Sequence, residues 1–239
     1  MSEPRLVGDA WLSERLGKPA FHLVGALGGT ASRCDAIAHQ LAASPLFADA
    51  KVAVDDMDAA ARAGDLGFVL TDTNLRFAAP RSAIPTADAP EVAFARPDMV
   101  NAIGAIAESA FVHDRFHRDP KTHSRDGALK REWAKNFFSG ARGEWMVAAC
   151  RDGAPIGFLQ LLRSANDDLI IDLIAVEPSC AGEGFASAMI GFAAKNCAVS
   201  GAVVVGTQVA NTQSIRLYEG LGFQLQSAQY VFHHHGGTA

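Results

Sequence analysis

Apolar residues recur along this chain in two rhythms, and the switches between them outline most of the elements. Runs that are apolar throughout, or at every second position, predict strands at 20–27, 50–54, 68–77, 144–151, 155–163, 168–176, 202–208 and 224–232. Three-to-four-residue spacing predicts helices at 32–43, 56–63, 100–111, 126–138, 186–198 and 212–221. In the fourth of these, Leu129, Trp133 and Phe137 fall on one face. Asp152-Gly153 between two strand patterns is a strong hairpin signal. The 168–176 run is almost continuously apolar and belongs near the centre of a sheet. The order of strands and helices is that of an α/β protein.

Four prolines, Pro80, Pro85, Pro90 and Pro97, interrupt the rhythm. Proline removes an amide donor and restricts its predecessor, so this stretch reads as a linker or edge segment. A domain boundary is expected there, dividing 1–87 from 88–239. The halves also echo each other. A shift of 155 residues matches Val54 with Val209, Leu66-Gly67-Phe68 with Leu221-Gly222-Phe223, Leu70 with Leu225 and Phe77 with Phe232. A decayed internal repeat is expected. In it Tyr218 faces Ala63, and Gly25–Gly29 reproduces no later turn.

Composition narrows the class. Hydrophobic residues make up 49% of the 239 and charged residues 20%, enough to bury a core. A net charge of −5 without a Lys/Arg run argues against nucleic-acid binding. Cys34, Cys150, Cys180 and Cys197 lie too far apart in sequence for a zinc pattern or a disulfide framework. They read as reduced thiols, and no metal is expected. Charges among the first fifteen residues and the lack of a long apolar run predict no signal peptide and no membrane insertion. A cytoplasmic protein is expected. His233–His235 continues a strand pattern and reads as native.

The chemistry concentrates in two stretches. Leu173–Ala186 runs from an apolar strand through Gly182-x-Gly184 into a helix. Glycines permit positive φ and close backbone approach, and the bare amides of a helix start hold anions. The second stretch is Asn211 to Phe223, with Leu217-Tyr218 and Leu221-Gly222-Phe223.

On these motifs, and on the element order from Glu91 to His234, the chain resembles the GCN5-related N-acetyltransferases (GNAT). The resemblance implies a mixed, twisted sheet flanked by helices on both faces, with 1–87 as a smaller, degenerate GNAT-like half-domain. It implies acetyl-CoA as co-substrate and direct attack of a primary amine on the thioester. The strand at 168–176 would carry a bulge and splay from the one at 202–208, and the pantetheine arm would pair with Ile174 and Val176 beside Ala175. The pyrophosphate would lie on Ser179, Ala181, Gly182, Glu183, Gly184, Phe185 and Ala186. Ser179 departs from the Gln or Arg usual in the family, and Glu183 is unhelpful unless it points to solvent. Asn211 would bond the pantetheine or cap the following helix. Tyr218 would protonate the departing thiolate, since a phenol keeps its proton at neutral pH.

A general base is harder to find. Asp172, and behind it Asp168, are candidates, and a water relay serves as well. Acceptor recognition falls to His117 and Arg118 within Phe111–Pro120. Arg115-Phe116-His117-x-Asp119-Pro120, the Trp133 helix and the ending Tyr230-Val-Phe-His make the chain similar to sugar N-acetyltransferases of the dTDP-fucosamine type. A nucleotide-linked amino sugar is therefore the expected acceptor. An antibiotic, a polyamine, a protein N-terminus, or a non-catalytic acyl-CoA-binding role stand as alternatives. No cysteine has a catalytic neighbourhood, and a homodimer is left open.

Overall fold

The structure is a computed structural model that describes residues 3–27, 31–86, 89 and 91–237, the side chains of 31–34 excepted. Its elements run β1 (Arg5–Gly8), α1 (Ala10–Leu16), β2 (Ala20–Val24), α2 (Ala31–Ala42), β3 (Leu46–Ala53), α3 (Met57–Asp65) and β4 (Val69–Ala79). There follow β5 (Val92–Phe94), α4 (Val100–Ala110), α5 (Arg115–Arg118), α6 (Asp126–Lys135), β6 (Trp145–Arg151), β7 (Ala154–Arg163) and β8 (Leu169–Val176). The chain closes with α7 (Phe185–Asn196), β9 (Val203–Gln208), α8 (Thr212–Gly220) and β10 (Gln224–Gly236). Two compact units result: residues 1–74 with 227–239, and residues 75–226. The boundary expected between 87 and 88 falls on residues outside the described ones.

The first unit is built on a mixed sheet. β1 pairs antiparallel with β2, β2 parallel with β3, and β3 antiparallel with β10. Its helices bury their apolar faces on that sheet: Ile37, Leu41, Ala59 and Ala63 pack with Leu46, Ala48, Ala50 and Phe232 in one cluster. β1 and α1 have no counterpart in the sequence reading, because their short patterns are crowded with charge. Asp9 nonetheless starts α1, accepting from the Leu12 amide at 2.8 Å, and Gly17 ends it in the left-handed region. His233–His235 lies inside β10, where the buried His233 ring packs edge-on against Phe47.

In the second unit β5, β6, β7 and β8 are antiparallel neighbours and β9 pairs parallel with β8. The two-residue rhythm of β6 and β7 sends side chains to opposite faces. Met146, Ala148 and Phe158 join Ile103, Ala107 and Ala134 in one cluster, which is the α4–α6 side. Val147, Ala149, Leu159 and Leu161 join Met189, Ile190, Ala193 and Tyr218 in another, on the α7–α8 side. Helices therefore cover both faces. Asp152 and Gly153, both at positive φ, make the predicted hairpin turn. The proline-rich stretch is not a free linker. Arg81 donates to the Ala194 carbonyl (2.9 Å from Nε) and to that of Val199, and Val92–Phe94 adds a strand to β6. Of the two readings, linker or edge segment, Val92–Phe94 takes the second, since proline suits sheet edges.

The echo between the halves is visible bond for bond. Asp56 caps α3 by accepting from the Ala59 amide at 3.0 Å, and Asn211 caps α8 by accepting from the Ser214 amide at 3.1 Å. Gly67 (φ 79°) and Gly222 (φ 86°) both end their helices in the left-handed region. The Phe68 amide bonds the Ala63 carbonyl at 3.0 Å, as the Phe223 amide bonds that of Tyr218 at 3.0 Å. Ala63, where the second unit has Tyr218, is buried. Part of the early Gly25–Gly29 turn lies outside the described residues.

Candidate functional site

The site begins with a fault in the sheet. Between β7 and β8 the register slips so that Gln160 faces Leu173 and Leu161 faces Ile171, leaving Asp172 as an extra residue. This is a β-bulge, and it bends its strand and frees backbone groups. Pairing of β8 with β9 covers Leu169–Ile171 against Val203–Val205 and stops there, although both strands continue. Beyond that point lies a cleft of about 590 Å³. The bulge and the parting are the features that the family resemblance implied for this strand.

One wall of the cleft is the loop from β8 to α7. Gly182 (φ 83°) and Gly184 (φ 90°) both need the left-handed region, and a Cβ on either would meet no other atom. Their requirement is therefore conformational. Gly184 is the N-cap of α7 and brings no side chain to bond the first turn's amides. Those amides are free to receive an anion, with the helix dipole behind them. Glu183 is drawn aside by an ion pair with Arg151, whose guanidinium also covers the Phe185 ring at 5.4 Å. Arg151 was not foreseen, because it lies at the end of β6, far away in sequence.

Ile174, Ala175, Val176, Ala181, Gly182, Gly184, Phe185, Ala186, Asn211 and Tyr218 all line the cleft. Ser179 and Glu183 do not. Asn211 Oδ1 is occupied as the cap of α8. Tyr218 is 2% exposed, between Phe77 and Phe223. Burial pushes its phenol well above the ordinary tyrosine range, and the Ser214 hydroxyl opposes this less strongly.

Asp172 also lines the cleft, but its carboxylate is fully engaged. Arg142 grips both oxygens at 2.7 Å, and Trp133 Nε1 and Gln160 Nε2 donate to Oδ2 at 3.0 and 3.1 Å. A carboxylate holding four donors, two from one guanidinium, is an anchor for its strand. The bulge at Asp172 is thus pinned to α6 and to the loop after it. Asp168 is spoken for as well: its Oδ1 accepts from the Ala202 amide at 3.0 Å.

His117 and Arg118 are not among the residues that line the cleft. His117 Nδ1 is held by Asp126, and its carbonyl accepts from His123 Nδ1 at 2.7 Å. The part of this segment that does reach the cleft is Ser109–Asp114, with Lys130 of α6 opposite. Lys130 is nearly buried, its Nζ 5.1 Å from the Phe111 ring centroid and 4.8 Å from that of Trp133. Nothing in the sequence separates a buried lysine of this kind from a solvated one on a helix flank. Asp114 could have been found, as an N-cap signal before Arg115-Phe116-His117.

A parted sheet, an uncapped helix start and a buried phenol thus meet at one cleft. Residues 108–223 match the Acetyltransferase (GNAT) family. The spore coat polysaccharide biosynthesis protein SpsD of Bacillus subtilis (strain 168) is 34% identical over 141 residues. That match takes in 57% of this chain and 48% of SpsD, so the chain spans about half the length of this relative. Three solved structures share the fold along nearly the whole chain. A conserved protein of unknown function from Staphylococcus epidermidis has a TM-score of 0.68 at 12% identity, covering 99% of this chain and 93% of its own. A tandem GNAT protein of the clavulanic acid biosynthesis pathway has 0.62 at 13%, covering 93% and 77%. A GCN5-related N-acetyltransferase from Kribbella flavida has 0.59 at 15%, covering 99% and 89%.

Proposed function

We propose that this protein transfers the acetyl group of acetyl-CoA to a primary amine, by direct attack within a ternary complex. The observation that carries the reading is the parting of β8 from β9 just where the uncapped start of α7 opens. The pyrophosphate would rest on the amides after Gly182 and Gly184. The pantetheine would lie along Ile174–Val176, where the thioester carbonyl meets a backbone amide able to stabilise the oxyanion. Tyr218 would give its proton to the departing thiolate. Asp172 is assigned no proton transfer and would instead hold the bulge in place through Arg142.

An amino sugar, carried on a nucleotide, is the acceptor this reading favours. Support comes from the relative named for polysaccharide biosynthesis and from the sugar-acetyltransferase likeness around Arg115–Pro120. Reduced thiols at Cys150, Cys180 and Cys197 fit a cytoplasmic location. Residues 1–87 would be a decayed GNAT half-domain that keeps the helix-to-strand turn and lacks the phenol.

The test is acetyl-CoA-dependent thiol release with nucleotide-linked amino sugars beside aminoglycosides, polyamines and peptides. Turnover with an amino sugar and little with the rest is expected. Turnover confined to another amine would overturn the acceptor, and acetyl-CoA binding without turnover on any amine would overturn the activity.

A further inference from the structure

The cleft holds a carboxylate and an amine that the transfer reaction, as described so far, does not use. Asp114 is 5% exposed and Lys130 8%. Oδ1 of Asp114 accepts from the Phe116 amide at 2.8 Å and the His117 amide at 3.4 Å, which starts α5. Its buried Oδ2 has no hydrogen-bond partner among the described residues, and Lys130 Nζ stands 4.0 Å away, beyond bonding distance. A buried carboxylate oxygen without a donor is costly and marks a place where a donor arrives. Both side chains line the cleft shared with Tyr218 and the bulge.

We propose that Asp114 Oδ2 receives the acceptor's ammonium group and that the Nζ lone pair of Lys130 takes its proton. This rests on the acetyl-transfer reading above and names the base that reading lacks. The Phe111 and Trp133 rings flank Nζ, and burial lowers the lysine's proton affinity from the ordinary range. Arg115 acts in the same direction, while Asp114, Asp172 and Asp126 oppose it. Of these, Asp172 already answers Arg142. Lysine suits the task because its nitrogen can lose a proton, which a guanidinium cannot.

The balance closes. The ammonium gives one proton to Nζ, and the new Lys130 ammonium pairs with Asp114. The neutral amine forms the C–N bond as the thioester carbonyl opens to an oxyanion. The carbonyl re-forms as the C–S bond breaks, and the thiolate takes the phenol proton of Tyr218. The proton left on nitrogen restores the phenol, and Lys130 releases its own to solvent.

The test compares Lys130→Met, Lys130→Arg and Asp114→Asn in the full chain, using an amine that the wild type acetylates. Melting curves check that each variant folds; should one fail, the other two carry the test. For both Lys130 variants kcat/KM for the amine should fall about 100-fold at neutral pH, the scale of a lost general base. Acetyl-CoA affinity should hold. The rise of kcat/KM with pH should also move up to the free amine's own pKa. Asp114→Asn should raise KM for the amine about tenfold, with a smaller change in kcat. Lys130→Arg with the wild-type rate and pH profile would reduce the lysine to a fixed charge and overturn the proposal. So would a pH limb that His113→Gln removes and the Lys130 variants keep, since His113 lines the same cleft. A wild-type chain that acetylates no amine contradicts the proposed function; the variant outcomes contradict this inference alone.

Discussion

Tyr218 is a phenol held inside an aromatic cluster, and its environment decides what it can contribute. Its pKa is raised by burial, so the folded protein keeps the proton to higher pH than an exposed tyrosine would. No loss of activity from Tyr218 ionisation is therefore expected below the ordinary phenol value of about 10. Tyr218→Phe should lower kcat by about one to two orders of magnitude and leave acetyl-CoA affinity unchanged. Steady-state kinetics beside calorimetry checks both halves of that statement, and unchanged kcat would remove the acid role. Arg142 acts differently. Arg142→Ala leaves a nearly buried Asp172 carboxylate without its cation, a loss of about 2 kcal/mol by chemical denaturation. That is below the figure for a fully buried pair, because 40% of the Arg142 side chain is in solvent.

Elements are fixed at their ends. The turn into β8 is fixed by Asp167, which bonds the Ser200 hydroxyl and amide and Arg163. These bonds, those from Ser200 first, hold its carboxyl down to about 2 from an ordinary 3.8. A depressed folded pKa stabilises above the unfolded value and is lost as pH falls through the folded one. The melting-temperature gap between wild type and Asp167→Asn should thus be full above about pH 4 and close as pH falls toward 2. A gap unchanged across that range would contradict the assignment. At the other end, Gly184→Ala places a Cβ in open space but forces φ 90° on an L residue. It should cost about 1 kcal/mol and weaken acetyl-CoA binding several-fold.

Most of these elements were legible, because buried strands and amphipathic helices announce themselves through period alone. The misses have one cause. β1, α1, α5 and β5 are short, and their stability comes from caps and neighbours that a local pattern does not contain. The glycine loop of the cleft was legible because backbone conformation dictates residue type, as at Gly182 and Gly184. It was not legible where contacts join distant segments. Asp172 reads as a base until Arg142, Trp133 and Gln160 are seen around it, and Lys130 carries no local sign of its burial.

On the scale of the whole molecule, the two units share a helix-to-strand turn but differ at the position of the phenol. One acetyl-CoA per chain is expected from titration calorimetry, and two would show that the first unit has kept a site of its own. Direct transfer of the proposed acetyl group to an amine is decided by following that group. Acetyl-CoA and a nucleotide-linked amino sugar are mixed with the protein, and the intact masses of sugar and protein are read through the first turnover. The sugar should gain one acetyl group while the protein's mass stays constant. An acetylated protein preceding the product, or no acetylated amine at all, would contradict it.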